Sequence, residues 1–192
     1  MKETFIICMF VIFIYIFLTM NSNKFVLIEA SDGQKVRVND EIDQQGSANL
    51  LAEIIVRIYK LRNYLKNNKD KYPNQIDCID LLEKNLNEDR TQIYENSTSS
   101  DYTSYSVNKG EEVVFCLRSK KTNKLHDINL MMYVAIHEMA HIGCFEIGHT
   151  KLFKEIFAFY LKIAIELDIY KYDNYDENPV EYCGMILSST II

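Results

Sequence analysis

Residues 127–149, DINLMMYVAIHEMAHIGCFEIGH, hold three of the chain's four histidines. His137, Glu138 and His141 stand in the order H-E-x-x-H, and His149 follows eight residues after His141. On a helix the i, i+4 spacing puts His137 and His141 one turn apart on the same face, so both imidazoles can reach a single ion. Glu138 lies about 100° further round the helix. That places its carboxylate beside such an ion rather than on it, where it can take a proton from a water. A catalytic site of this type needs a third protein ligand and keeps a fourth position open. His149, in a Gly148-His149 turn, is the first choice for that ligand, with Glu146 and Cys144 as alternatives. The residue types predict Zn²⁺ as the cofactor and metal-assisted hydrolysis as the chemistry.

The surrounding residues give the motif weight, since H-E-x-x-H also arises by chance. Asp127 reads as the N-cap of a helix reaching about Ile142, and Leu130, Met131, Met132, Val134, Ala135, Ile136, Met139 and Ala140 make it apolar on nearly every side. Such a helix belongs in the domain interior. Ionisable groups there are costly unless paired, and a metal accounts for all three. A structural zinc site would close with four ligands, often cysteines, and no fourth presents itself. His126, just before the helix, reads as a surface or capping residue.

Elements on both sides must position this helix. Residues 103–107 (TSYSV) and 112–119 (EVVFCLRS) flank Asn108-Lys109-Gly110, which is hairpin chemistry. An exposed strand edge beside a metal can accept an extended substrate as a further strand, and residues 113–117 are the expected place for it. After His149, Leu152, Phe153, Ile156, Phe157, Tyr160, Ile163, Ala164 and Leu167 form the core stripe of a second amphipathic helix. The tail, NPVEYCGMI from Asn178, begins as a turn and becomes a short strand. Its Tyr182 is a candidate hydrogen-bond donor to a developing oxyanion, or else a half-buried structural tyrosine.

The first half carries less chemistry. Residues 25–38 read as two extended pieces around Ser31-Asp32-Gly33, a linker or a small hairpin. Ser47 reads as the N-cap of a long helix with Leu50, Leu51, Ile54, Ile55, Ile58, Leu61 and Leu65 on its buried face, and a shorter helix covers about Gln75 to Leu86. Residues 87–101 turn polar and are expected to be a loop, within which Asn96-Ser97-Thr98 matches a glycosylation sequon. The basic run KKTNK at 120–124 reads as a solvated turn.

At 192 residues and 48% apolar composition, with six Gly and two Pro, the chain supports one folded domain. A net charge of −6 supplies no general field for gripping phosphates, so a nucleic-acid partner gains no support from bulk charge. The five cysteines are scattered, with no C-x-x-C pair, and suggest neither a disulfide framework nor a zinc knuckle. Residues 5–20, FIICMFVIFIYIFLTM, are nearly all apolar and as a helix would rise about 24 Å. No small-residue cleavage pattern follows, which favours an uncleaved single-pass membrane anchor over a signal peptide. Lys24, Lys35 and Arg37 lean towards a cytosolic placement of the rest. The expected organisation is an anchor at 1–22, a linker or small hairpin at 23–46 and a catalytic domain at 47–192. Nothing in the sequence sets an oligomeric state.

From about Ser104 onward the chain resembles the WLM-type zinc metalloproteases, in the version carried by large nucleocytoplasmic DNA viruses. The resemblance rests on SYSVNKGEEVVFCLR, KLHDINLMMYVAIHEMAHIG, EIGHTKLF and PVEYCGM. It implies an α+β, zincin-like domain with a small antiparallel sheet and a central H-E-x-x-H helix. It also implies zinc ligands at His137, His141 and His149, a catalytic base at Glu138, and a protein or peptide substrate. In cellular relatives the activity is linked to proteins attached to DNA, and there the gap between the second and third histidines is shorter. The expectation is therefore a membrane-tethered zinc metallopeptidase. The competing expectation is a membrane-tethered interaction protein whose metal site is vestigial or structural. A DNA-associated protease, which would show DNA-stimulated cleavage, fits the acidic balance least.

Overall fold

The computed structural model describes residues 8–13 and 25–192. It is a mixed α+β arrangement in which one five-stranded sheet and four helices enclose a single core. The sheet comprises β1 (Phe25–Glu29), β2 (Lys35–Asn39), β3 (Gln92–Glu95), β4 (Tyr105–Val107) and β5 (Glu112–Phe115), in the spatial order β1-β2-β3-β5-β4. β1 and β2 pair antiparallel, as do β4 and β5, whereas β3 runs parallel to both β2 and β5. The sheet is thus larger than the small antiparallel one expected, and mixed. The first hairpin is part of it, because β2 pairs with β3.

β3 lies inside the stretch expected to be a loop. Its composition, Gln-Ile-Tyr-Glu, carries little strand signal, and pairing with a neighbour on each side overrides that. Glu95 at its end is buried. Its carboxylate accepts from the Asn39 backbone N–H at 2.8 Å and lies 3.8 Å from Arg118 Nε. Arg118 in turn donates to the Asp43 carbonyl and to Ser47 Oγ, both at 2.8 Å. This buried network ties the sheet to the start of α1 (Gln44–Asn67). Ser47 is spent on it and does not cap the helix. The cap is Asp43, whose side chain accepts from Gly46 N at 3.0 Å. Sequence pattern placed the start late because Ser47 is a good cap type, while the left-handed Asp43 (φ 62°) gave no pattern signal.

Beyond the sheet, α2 (Ile76–Asn85), α3 (Ile128–Gly143) and α4 (Lys151–Glu166) complete the helical layer. α1, α2 and α4 all pack against α3, whose Met131, Met132, Ala135, Ile136, Met139, Ala140 and Ile142 are essentially inaccessible. The apolar composition of α3 is explained by this three-sided enclosure. Its N-cap is Asp127, accepting from Asn129 N at 2.7 Å. A two-stranded hairpin, β6 (Val180–Tyr182) and β7 (Met185–Leu187), closes the chain. A disulfide between Cys116 and Cys183 fastens this hairpin to the end of β5. That bond departs from the expectation drawn from cysteine spacing, because a pair 67 residues apart leaves no local pattern.

The Asn96 sequon is closed off by the fold. Asn96 is buried, and its amide donates to the carbonyls of Tyr102 (2.9 Å) and Thr103 (2.5 Å). Of the apolar run at 5–20, residues 8–13 are helical and exposed, and the remainder of the expected anchor lies outside the described residues. Among the described residues no helix is long and apolar enough to cross a membrane.

Candidate metal centre

His137 and His141 project from the last two turns of α3, and His149 arrives from the loop between α3 and α4. The backbone turns at Gly148 through φ 83°, a conformation suited to glycine, and delivers His149 back over the helix face. The three Nε2 atoms form an equilateral triangle with edges of 3.1 Å. A tetrahedral ion with metal–nitrogen bonds of about 2.0–2.1 Å requires ligand separations of about 3.3–3.4 Å, so the triangle fits Zn²⁺ closely. Three neutral imidazoles cannot satisfy one another in this arrangement, because each lone pair needs a donor. A shared cation satisfies all three at once. Among the described residues these histidines are the only such group, and neither Glu146 nor Cys144 joins them.

The His137 and His141 rings are held neutral by their surroundings. Burial pushes His137 down to about 3 and His141 to about 4, with the neighbouring histidines adding to the effect and Lys109 adding at His141. Neutral imidazole is the ligating form. Phe153, in the first turn of α4, backs all three rings: it stacks on His141 at 4.2 Å and meets His137 and His149 edge-on at 5.0 and 4.9 Å. In the sequence Phe153 is one more residue of an apolar stripe, and its second role has no pattern of its own.

Glu138 is 5% exposed and reaches the same cavity from the buried side of α3. Desolvation raises its carboxyl to about 7, against the opposing effect of the Ser106 hydroxyl donating to it. Tyr182 also lines this cavity, its hydroxyl hydrogen-bonded to Ser104 Oγ. Burial holds the phenol protonated, well above its ordinary range, and the Glu138 charge adds to this. His126 lies outside the triangle. Its Nε2 accepts from the Cys183 backbone N–H at 3.2 Å, and its ring packs on Tyr182 at 5.1 Å, so it supports the tyrosine rather than a metal.

The cavity has a volume of about 780 Å³. The lining includes Ser106 of the edge strand β4 with the adjoining Ser104, and an apolar part from Tyr133, Val134, Met185 and Leu187. This corrects the expected location of an open strand edge. Residues 113–117 belong largely to β5, which is paired on both sides and carries the buried Val113, Val114 and Phe115. The free edge beside the histidines is β4. Ser104 and Ser106 share a face at i, i+2 in TSYSV, and that alternation was the available signal for them.

No protein-family model matches the chain. It is 41% identical to the uncharacterized protein R325 of Acanthamoeba polyphaga mimivirus over 150 residues, which is 78% of this chain and 75% of R325. The chain belongs to the R325 family. A shorter match, 36% identical over 69 residues, links it to the uncharacterized protein 136R of Invertebrate iridescent virus 6, across 35% of this chain and 38% of that protein. Among solved structures, the chain is similar to the crystal structure of Wss1 from Saccharomyces cerevisiae at 18% identity and a TM-score of 0.49, covering 68% of this chain and 88% of that one.

Proposed function

We propose that this R325 family member is a zinc-dependent peptidase. The carrying observation is the 3.1 Å triangle of His137, His141 and His149 on the floor of a cleft that Glu138 also lines. A structural zinc site closes with four protein ligands, whereas this triangle has three and opens onto a cavity. The motif resemblance to WLM-type metalloproteases supports the same reading.

Zn²⁺ held by the three imidazoles supplies a Lewis acid and lowers the pKa of a water towards about 7. The remaining chemistry belongs to the chain. β4 offers backbone donors and acceptors to an extended polypeptide, which lies against Ser104 and Ser106. Glu138, poised near neutrality by burial, accepts a proton at its carboxylate and returns it to the amine of the leaving peptide. Tyr182, kept protonated, serves as a hydrogen-bond donor to the oxygen that gains charge. The apolar part of the lining excludes water from the scissile segment.

In this proposal residues 5–20 tether the enzyme to a membrane. The Cys116–Cys183 disulfide favours a domain that faces an oxidising compartment, against the lean of Lys24, Lys35 and Arg37. Metal analysis of the purified chain tests the site: one zinc per chain is expected, lost in His137→Ala and in His149→Ala, with chelator-sensitive cleavage of casein. A chain that cleaves casein equally well after complete metal removal would overturn the proposal.

A further inference from the structure

His149 depends on a loop, residues 144–149, whose start is anchored by the buried Cys144 but which is largely exposed beyond it: Phe145 and Ile147 are 72% and 89% exposed. A loop with so little burial is free to move unless something other than packing holds it. One side chain does. Lys109 Nζ donates to three backbone carbonyls: Cys144 at 2.6 Å, Glu146 at 2.7 Å and His141 at 3.1 Å. The first two belong to the loop and the third to the last turn of α3. The ammonium therefore uses all three of its donors to pin the loop onto the helix that carries the other two histidines. The His141 carbonyl lies in the last turn of α3 and the Cys144 carbonyl at its cap, a helix C-terminus where carbonyls lack intrahelical partners and a cation is favoured.

Lys109 is itself firmly held. It occupies the turn between β4 and β5, where Asn108, Lys109 and Gly110 all have positive φ (47°, 56° and 99°). Positive φ is uncommon for a lysine. Arg90 stabilises the turn by donating to the carbonyls of Asn108 (2.9 Å) and Lys109 (3.2 Å), and also to that of Asn85 in α2 (2.9 Å). The result is a rigid strut that runs from α2 through the β4–β5 turn to the loop bearing the third histidine.

We infer that Lys109 is a positioning residue that holds residues 144–149 so that His149 completes the metal triangle. It acts through His149, by way of backbone carbonyls, and is not itself one of the metal-binding group. The inference rests on the proposed zinc site. Without Lys109 three carbonyls lose their donor, the loop opens, and the site falls back towards two histidines.

The test is a double-mutant cycle on metal affinity, read by zinc competition against a chromophoric chelator in the full chain, with Co²⁺ visible absorption as the spectroscopic signature. Lys109→Met keeps most of the side-chain volume and removes the donors, and loss of such a supporting partner typically costs about 10–100-fold in metal affinity. Lys109→Met is expected to weaken zinc by that factor and to reduce the intensity of the tetrahedral Co²⁺ bands. Lys109→Arg is expected to restore part of both. In a His149→Ala background, Lys109→Met is expected to have no further effect, because the group it positions is gone. Equal zinc affinity in Lys109→Met and wild type would overturn the inference, as would an undiminished effect in the His149→Ala background. If Lys109→Met fails to fold, Lys109→Arg in both backgrounds carries the same comparison. A wild-type chain that binds no zinc would instead overturn the proposed function.

Discussion

The hydroxyl of Tyr182 is hydrogen-bonded to the hydroxyl of Ser104, a residue 78 positions earlier in the chain. The contact joins the C-terminal hairpin to the edge-strand side of the cleft, so the tyrosine is fixed over the cavity floor. Ser104 Oγ also accepts from the Cys116 backbone N–H at 3.0 Å. Tyr182→Phe removes the donor and keeps the ring. It is expected to lower kcat by roughly a hundredfold, as loss of an oxyanion donor does, with KM and zinc content little changed. Steady-state kinetics with parallel metal analysis check this, and an unchanged kcat would return Tyr182 to a structural role.

Ser104→Ala should show the other half of the contact. It strands the buried Cys116 N–H and frees Tyr182, and a buried donor left unsatisfied costs about 1–3 kcal/mol. Urea denaturation at a fixed pH measures that loss.

Glu138 makes the stability of the metal-free chain depend on pH. Its folded carboxyl is raised from 4.5 to about 7, chiefly by desolvation. The folded state thus holds this proton to higher pH than the unfolded state. The associated stability is fully present below about pH 4.5 and is lost as pH rises through 7. At about 1.4 kcal/mol for each pH unit the loss is on the order of 3 kcal/mol. Glu138→Gln removes this titration. In metal-free protein the variant should gain stability relative to wild type between pH 4.5 and 7, then hold that gain at pH 8. Paired denaturation curves across that range decide the matter, and a constant difference would contradict it.

The disulfide closes a loop of 67 residues, for which the chain-entropy relation gives a stabilisation of about 4 kcal/mol. Cys116→Ser with Cys183→Ser should therefore lower stability by several kcal/mol, and added dithiothreitol should do the same to the wild type alone. Because Cys183 adjoins Tyr182, reduction should also lower activity while leaving bound zinc in place. Equal melting temperatures with and without reductant would rule out this tether.

How much was legible in the sequence follows from where each signal resides. H-E-x-x-H is local and helical, so the meeting of His137, His141 and Glu138 at one site could be read from spacing alone. His149 needed a glycine turn, and Gly148 supplied that cue. The hairpins at Ser31-Asp32-Gly33 and Asn108-Lys109-Gly110 carried turn chemistry of the same local kind, and both are present. What was not legible depends on partners distant in the chain. β3 exists because two strands flank it, the disulfide because two separated segments meet, and Phe153 serves three imidazoles while looking like ordinary core. Lys109 read as a turn residue because its three acceptors lie 32–37 positions away. The open edge was assigned to the wrong strand of its hairpin for the same reason: only the pairing of β5 with β3 shows which strand is outermost.

In the proposed mechanism three histidines hold a zinc ion and Glu138 handles the proton. The most direct measurement is zinc stoichiometry together with peptidase activity for the wild-type chain and Glu138→Gln. One zinc per chain in both proteins, with cleavage only by the wild type, is the predicted result. Glu138→Gln cleaving at the wild-type rate would exclude Glu138 as the proton acceptor.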